Sequence, residues 1–154
     1  MQANRFRSVP QQADFLKSAG VVDGDIELSD GSGLSRDDLV TPRGIVALLR
    51  YASRQPWGED FLSTLPIAGI DGTLESRMKS TPASGLIEAK TGSLEHVNSM
   101  SGYATTLRGE HLVFAMFGNN NPGHGHDAMA TLDAISVAMV ETLGQPPKPR
   151  KKKK

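Results

Sequence analysis

Gly85-Leu86-Ile87-Glu88-Ala89-Lys90-Thr91-Gly92-Ser93 is the stretch on which the reading of this chain turns. A short apolar run with β-branched residues reads as a strand from Leu86 to Thr91. Alternation then puts Leu86, Glu88 and Lys90 on one face and Ile87, Ala89 and Thr91 on the other. The lysine therefore emerges at a strand end beside a hydroxyl and a glycine. An ammonium supplies charge, Thr91 and Ser93 supply hydroxyl donors, and Gly92 lets a ligand approach where a Cβ would intrude. Such a strand end suits a carboxylate or an acyl group, although the triplet alone also fits an ordinary strand running into a turn.

Downstream, Val97–Leu107 and His111–Phe117 alternate in the same way, with Arg108-Gly109-Glu110 as the hairpin turn between them. Three consecutive strands with short connections predict an antiparallel meander, with the first strand, which carries Lys90, at its edge. Ala128–Leu143 predicts a terminal helix capped by Asp127, with Leu132, Ile135, Met139 and Leu143 as its apolar stripe and Gly144 as its stop. That helix should lie across the sheet.

Upstream, Pro10–Ala19 predicts a short helix stopped by Gly20, and Ile26–Leu28 a brief extended piece. Asp30–Arg36, with glycines two residues apart, predicts an irregular loop. Thr41-Pro42 is a helix start, and Ile45, Leu48, Leu49 and Ala52 make one stripe. Trp57–Leu65 predicts a second helix in which Trp57 anchors packing. Gly69–Gly72 should turn into a helical piece around Leu74–Met78. The class is α+β, an antiparallel sheet flanked by helices.

Composition narrows the function. The 154 residues make one domain, Lys plus Arg equal Asp plus Glu at 17 each, and cysteine is absent, which excludes disulfides and thiolate chemistry. Six cations crowd into Lys148–Lys154, so residues 1–144 form the folded unit and residues 145–154, with three prolines, a disordered basic tail. A nucleic-acid partner is not expected, because the tail lacks interleaved aromatics. No apolar run is long enough to span a bilayer, and Met1–Arg7 has no apolar signal-peptide core. His124-Gly125-His126-Asp127 has no evident third and fourth ligand, so neither metal nor other cofactor is expected.

Four segments in order resemble one family: Ser29-Asp30-Gly31-Ser32-Gly33-Leu34-Ser35-Arg36, Ala68-Gly69-Ile70-Asp71-Gly72-Thr73-Leu74, Lys90-Thr91-Gly92-Ser93 and Ser99-Met100-Ser101-Gly102-Tyr103. Together they resemble the C-terminal part of the penicillin-binding D-alanyl-D-alanine carboxypeptidases/endopeptidases of peptidase family S13, over roughly Val9–Leu143. The resemblance implies a partial β-lactamase/transpeptidase-like fold and, for the complete enzyme, a serine nucleophile that forms an acyl-enzyme released to water. It implies catalytic roles for Lys90, Thr91 and Gly92, with Lys90 holding the terminal carboxylate of a stem peptide ending in D-Ala-D-Ala. It implies substrate contacts for Ser93, Leu94, Leu34 and Arg36, the last gripping a side-chain carboxylate. β-Lactams would be ligands of the complete enzyme, and its compartment would be periplasmic or otherwise extracytoplasmic.

Two family motifs are not found. Ser-x-Asn occurs nowhere in the chain, and the single Ser-x-x-Lys, Ser76-Arg77-Met78-Lys79, stands after the glycine-rich loop instead of before it. It is read as a chance match, so no nucleophile is assigned. The expectation is a C-terminal part of an S13 enzyme, inactive alone, whose natural N-terminus lies elsewhere. The competing readings are a non-catalytic cell-wall peptide-binding module and a structural or nucleic-acid-associated protein using its basic tail.

Overall fold

Residues 87–119 form the sheet on which the rest is laid. The computed structural model describes residues 8–121 and 125–142. Strands β3 (Ile87–Leu94), β4 (Val97–Thr105) and β5 (His111–Asn119) pair antiparallel in the order β3-β4-β5. They are preceded by α1 (Ser8–Ser18), the two-residue strands β1 (Ile26–Glu27) and β2 (Leu39–Val40), α2 (Pro42–Ala52) and α3 (Gly58–Ser63), and followed by α4 (His126–Thr142). The meander, its edge strand and the helix across it match the sequence expectation.

The alternation of buried residues fixes the register. Ile87 lies opposite Ala104, Ala89 opposite Gly102, and Thr91 opposite Met100, while Met100 faces Met116 on the other side. One face of the sheet thus collects Ile87, Ala89, Met100, Ala104 and Phe114, which close against Leu132 and Val140 of α4 and Leu74, Met78 and Ala83 of the preceding segment. A fully buried Ile or Val contributes about 1.5–3 kcal/mol by its burial, so this face dominates the fold. A one-residue slip would turn every one of these side chains to the wrong face. On the other face α2 packs against β5 and β4, and the Tyr103 hydroxyl donates to the Leu49 carbonyl at 2.7 Å. Burial pushes the Tyr103 phenol above its ordinary value.

Several local expectations are corrected. β3 runs on to Leu94 instead of stopping at Thr91, because the chain reverses through Glu95-His96 alone, with His96 at φ 62°. Gly92, Ser93 and Leu94 are therefore strand residues. β4 ends at Thr105 and β5 extends to Asn119. Only Gly72–Leu74 is helical in the connection from α3 to β3, as a 3-10 turn, since Met78 and Ser80 have φ of 55° and 62°. Trp57 is 45% exposed and meets Phe61 edge-on, so it anchors no core. Asp127 lies inside the first turn of α4 and does not cap it. The buried stripe of α4 is Leu132, Ser136 and Val140, leaving Ile135 at the surface. Leu143, Gly144, the basic tail and His124 lie outside the described residues.

Candidate active site

The outer edge of β3 is covered along half its length. The Ala68 N–H donates to the Ile87 carbonyl and the Ala89 N–H to the Pro66 carbonyl, both at 2.9 Å, with a bridge between Ile67 and Glu88. From Lys90 to Leu94 no described strand pairs with that edge. Apart from the Thr91 carbonyl, which the Lys90 ammonium occupies, its outward backbone groups lack a strand partner there and can bond an extended ligand, as exposed edges do.

Opposite this free edge stands the glycine-rich loop. β1 and β2 pair antiparallel, Ile26 with Val40 and Glu27 with Leu39, and so pin both ends of the loop. Its interior is tied by short polar side chains. The Asp38 carboxylate accepts from the Ser29 N–H at 2.6 Å, Asp30 accepts from the Ser32 N–H and hydroxyl at 2.8 and 2.7 Å, and the Ser32 hydroxyl accepts from the Leu34 N–H at 3.0 Å. The bonds from Ser32 hold the Asp30 carboxyl below its usual range. Gly33, at φ 72°, takes the left-handed turn between these ties.

Loop and strand enclose a cleft of about 680 Å³. All seven residues singled out in the sequence line it: Leu34 and Arg36 from the loop, and Lys90, Thr91, Gly92, Ser93 and Leu94 from β3. The Lys90 ammonium donates to the Thr91 carbonyl. The Thr91 hydroxyl donates to Thr73 at 2.9 Å, and the Asn98 amide donates to the Ser93 hydroxyl at 3.0 Å. A Cβ at Gly92 would lie 2.6 Å from the Ser99 hydroxyl, so a side chain there would displace that hydroxyl.

Arg36 points across the mouth to Glu95 at 3.5 Å, and both side chains are largely in solvent, at 70% and 75% exposed. A pair so hydrated is worth about 0–1 kcal/mol. Breaking it costs little, and a guanidinium so placed has the geometry to grip a carboxylate in two-pronged fashion. Leu34 is the exposed apolar wall of the same loop. The arrangement offers two cations and several hydroxyls to an anionic, extended ligand.

Sequence reasoning missed Thr73, Glu95 and Asn98. The last two follow from the Glu95-His96 turn, which sets Asn98 opposite Ser93; Thr73 reaches Thr91 only through the fold. Ser76 and Lys79 are exposed, lie outside any helix and do not line the cleft. The one-turn helical geometry that brings such a pair together is not formed. A second cleft, of about 500 Å³, lies between the end of α2 and the opposite end of the sheet, lined by Arg50, Arg54, Glu88 and Tyr103. None of the seven residues lines it.

The family profile described as D-Ala-D-Ala carboxypeptidase 3 (S13) matches residues 7–141. The chain belongs to that family. Among curated relatives, the D-alanyl-D-alanine carboxypeptidase of Actinomadura sp. (strain R39) is 40% identical over 136 residues, which are 85% of this chain and 25% of that protein. The carboxypeptidase DacB of Haemophilus influenzae is 40% identical over 107 residues, 68% of this chain and 22% of that one. The chain thus spans about a quarter of the length of these relatives. The crystal structure of penicillin binding protein 4 (dacB) from Haemophilus influenzae superposes with a TM-score of 0.73 at 30% identity, covering 83% of this chain and 30% of that one, and the same protein has been crystallised with a β-lactam. A class A β-lactamase representative from Bacteroides cellulosilyticus shares the fold alone, with a TM-score of 0.64 at 24% identity. The mixed helix and antiparallel-sheet architecture is therefore that of the penicillin-binding and β-lactamase-like proteins. No described helix is long and apolar enough to cross a membrane.

Proposed function

We propose that these residues form the Lys-Thr-Gly wall of a serine-type D-alanyl-D-alanine carboxypeptidase or endopeptidase acting on peptidoglycan outside the cytoplasm. Polypeptide beyond the 154 residues supplies the nucleophile and its base. One observation carries the reading: in a member of the S13 family, the free edge of β3 from Lys90 to Leu94 and the loop bearing Leu34 and Arg36 face one cleft. A stem peptide ending in D-Ala-D-Ala lies along that edge. Its terminal carboxylate meets the Lys90 ammonium and the hydroxyls of Thr91 and Ser93, while Arg36 exchanges Glu95 for a carboxylate on the peptide's side chain. When the serine attacks the scissile carbonyl, the oxygen gains negative charge, and backbone N–H donors near Ser93 stabilise it. Gly92 keeps the strand slim where the substrate passes.

Intact-mass spectrometry after incubation with a penicillin tests this. The 154-residue chain alone should gain no covalent adduct, and Ser76→Ala should behave the same. With the remainder of an S13 relative supplied by fusion, an adduct should form on a serine of that remainder. Lys90→Ala should then slow labelling strongly, because an uncompensated carboxylate in a partly desolvated cleft costs about 2–5 kcal/mol. An adduct on the chain alone, mapped to Ser76, refutes this assignment. Tight binding of the stem peptide by the chain with no labelling of any fusion would favour the non-catalytic module.

A further inference from the structure

We propose that Asn98 is a positioning residue that fixes the polarity of the Ser93 hydroxyl, so that Ser93 meets its ligand as a hydrogen-bond donor. The inference rests on the carboxylate-binding reading of the cleft given above. Asn98 is 3% exposed and stands directly opposite Ser93 across the β3–β4 hairpin.

The argument starts at a backbone carbonyl, which can only accept. The Asn121 side-chain amide donates to the Gly118 carbonyl at 2.9 Å, so its nitrogen must lie on that side. The same nitrogen lies 3.2 Å from the Asn98 side-chain oxygen, which therefore accepts its second proton. Asn121 is itself held in place, its N–H donating to the His96 carbonyl at 3.0 Å and its own carbonyl lying 2.8 Å from the His96 Nδ1. With its oxygen committed to Asn121, Asn98 must turn its NH₂ to Ser93, at 3.0 Å from the Oγ. The Ser93 oxygen thus accepts from inside the protein. A hydroxyl has one proton, no described residue accepts this one, and Ser93 is exposed in the cleft. The proton is left for a ligand oxygen. A carboxylate, which only accepts, is the complementary group, and four groups in series carry that preference outward from Gly118.

Replacing Asn98 by an acceptor reverses the series. In Asn98→Asp the carboxylate accepts from both Asn121 and Ser93, drawing the Ser93 proton inward. The added charge also repels an anionic ligand, but that repulsion acts whether or not Ser93 is present, and a double-mutant cycle removes it. The probe is an N-acylated dipeptide, D-Ala-D-Ala, with a free carboxylate, titrated into the 154-residue chain and followed by the amide resonances of Gly92 and Ser93. The C-terminally amidated dipeptide is the control. Asn98→Asp should weaken binding of the free acid about tenfold more in the parent chain than in the Ser93→Ala background, the loss of one hydrogen bond to a charged group. Equal weakening in both backgrounds overturns the proposal. Asn121→Asp, which never touches Ser93, should give the same Ser93-dependent loss, because it forces the Asn98 amide to turn over; it serves if Asn98→Asp does not fold. Equal binding of acid and amide by the parent chain would refute the carboxylate reading and this inference with it. Discrimination between them, together with an additive cycle, would refute this inference alone.

Discussion

Gly102→Ala should be the most damaging single-methyl change in the sheet. Gly102 lies opposite Ala89, and its backbone carries no left-handed strain, so the whole cost is steric. An ideal Cβ at this position would stand 2.1 Å from the Glu88 carbonyl oxygen, 2.7 Å from the Ala89 Cα and 2.9 Å from the Ala89 Cβ. Two of these obstacles are backbone atoms, which no rotamer change can move aside. To restore contact, β3 must retreat from β4 by about 1 Å, in a face where Ile87, Ala89 and Met100 are already fully buried. Overpacking of a well-filled core costs about 1–3 kcal/mol, and a backbone obstacle places this case at the upper end, about 3 kcal/mol. For a domain of this size that is a fall in Tm of about 6–12 °C. Thermal unfolding followed by circular dichroism, with urea titration to check that the transition stays two-state, measures it. Gly109→Ala is the comparison: its Cβ would meet nothing within 4 Å, so only its φ of 81° is penalised. A Gly102→Ala protein within about 0.5 kcal/mol of the parent would refute the register, since a surface change is of that size.

Other outcomes are expected. Asp25 is nearly inaccessible and accepts two 2.8 Å bonds from Arg43, which hold its carboxyl below the ordinary value. Its folded pKa is depressed, so its contribution to stability is complete above the unfolded value near about 4 and is lost as pH falls through the folded one. The Tm difference between parent and Asp25→Asn should therefore be flat near neutrality and shrink in acid; a gap that widens in acid contradicts the pair. Arg77 clamps Asp133 of α4 with bonds of 2.7 and 3.1 Å and exposures of only 17% and 24%, so Asp133→Ala should lose about 2 kcal/mol in urea unfolding, between surface and buried pairs. The Thr41 hydroxyl accepts from the Gly44 N–H at 3.0 Å and caps α2, and Thr41→Ala should lose about 1 kcal/mol by the same measurement. Gly92→Ala meets only the movable Ser99 hydroxyl, so it should unfold within about 1 kcal/mol of the parent yet bind the D-Ala-D-Ala dipeptide less well.

How much of this was legible beforehand depends on the range over which each feature is encoded. Period-two alternation from Leu86 onward, the stripe from Ile45 to Ala52 and the Thr41-Pro42 start are local signals, and they determined the meander, the α2 helix and the α+β class. The four ordered segments around the glycine-rich loop and Lys90-Thr91-Gly92-Ser93 determined the family. The inward face of α4 was not local. Ile135 fits the helical stripe as well as Ser136 does, and only contact with the sheet buries Ser136 and leaves Ile135 in water. The extent of β3 was hidden for a related reason. Gly92 and Ser93 are poor strand formers by themselves, and the ladder to Ser99 and Asn98 holds them extended. The cleft is the clearest case. Arg36 and Lys90 are separated by more than fifty residues, and nothing in either segment states that they meet. The β1–β2 pair, the cover that Pro66–Ala68 lays over half of β3, and the packing of α2 on the sheet bring them to one mouth. Chemistry-bearing residues are written in the sequence because their side chains are their own. Which of them share a cleft was decided by tertiary packing, since distance along a chain does not determine distance in space.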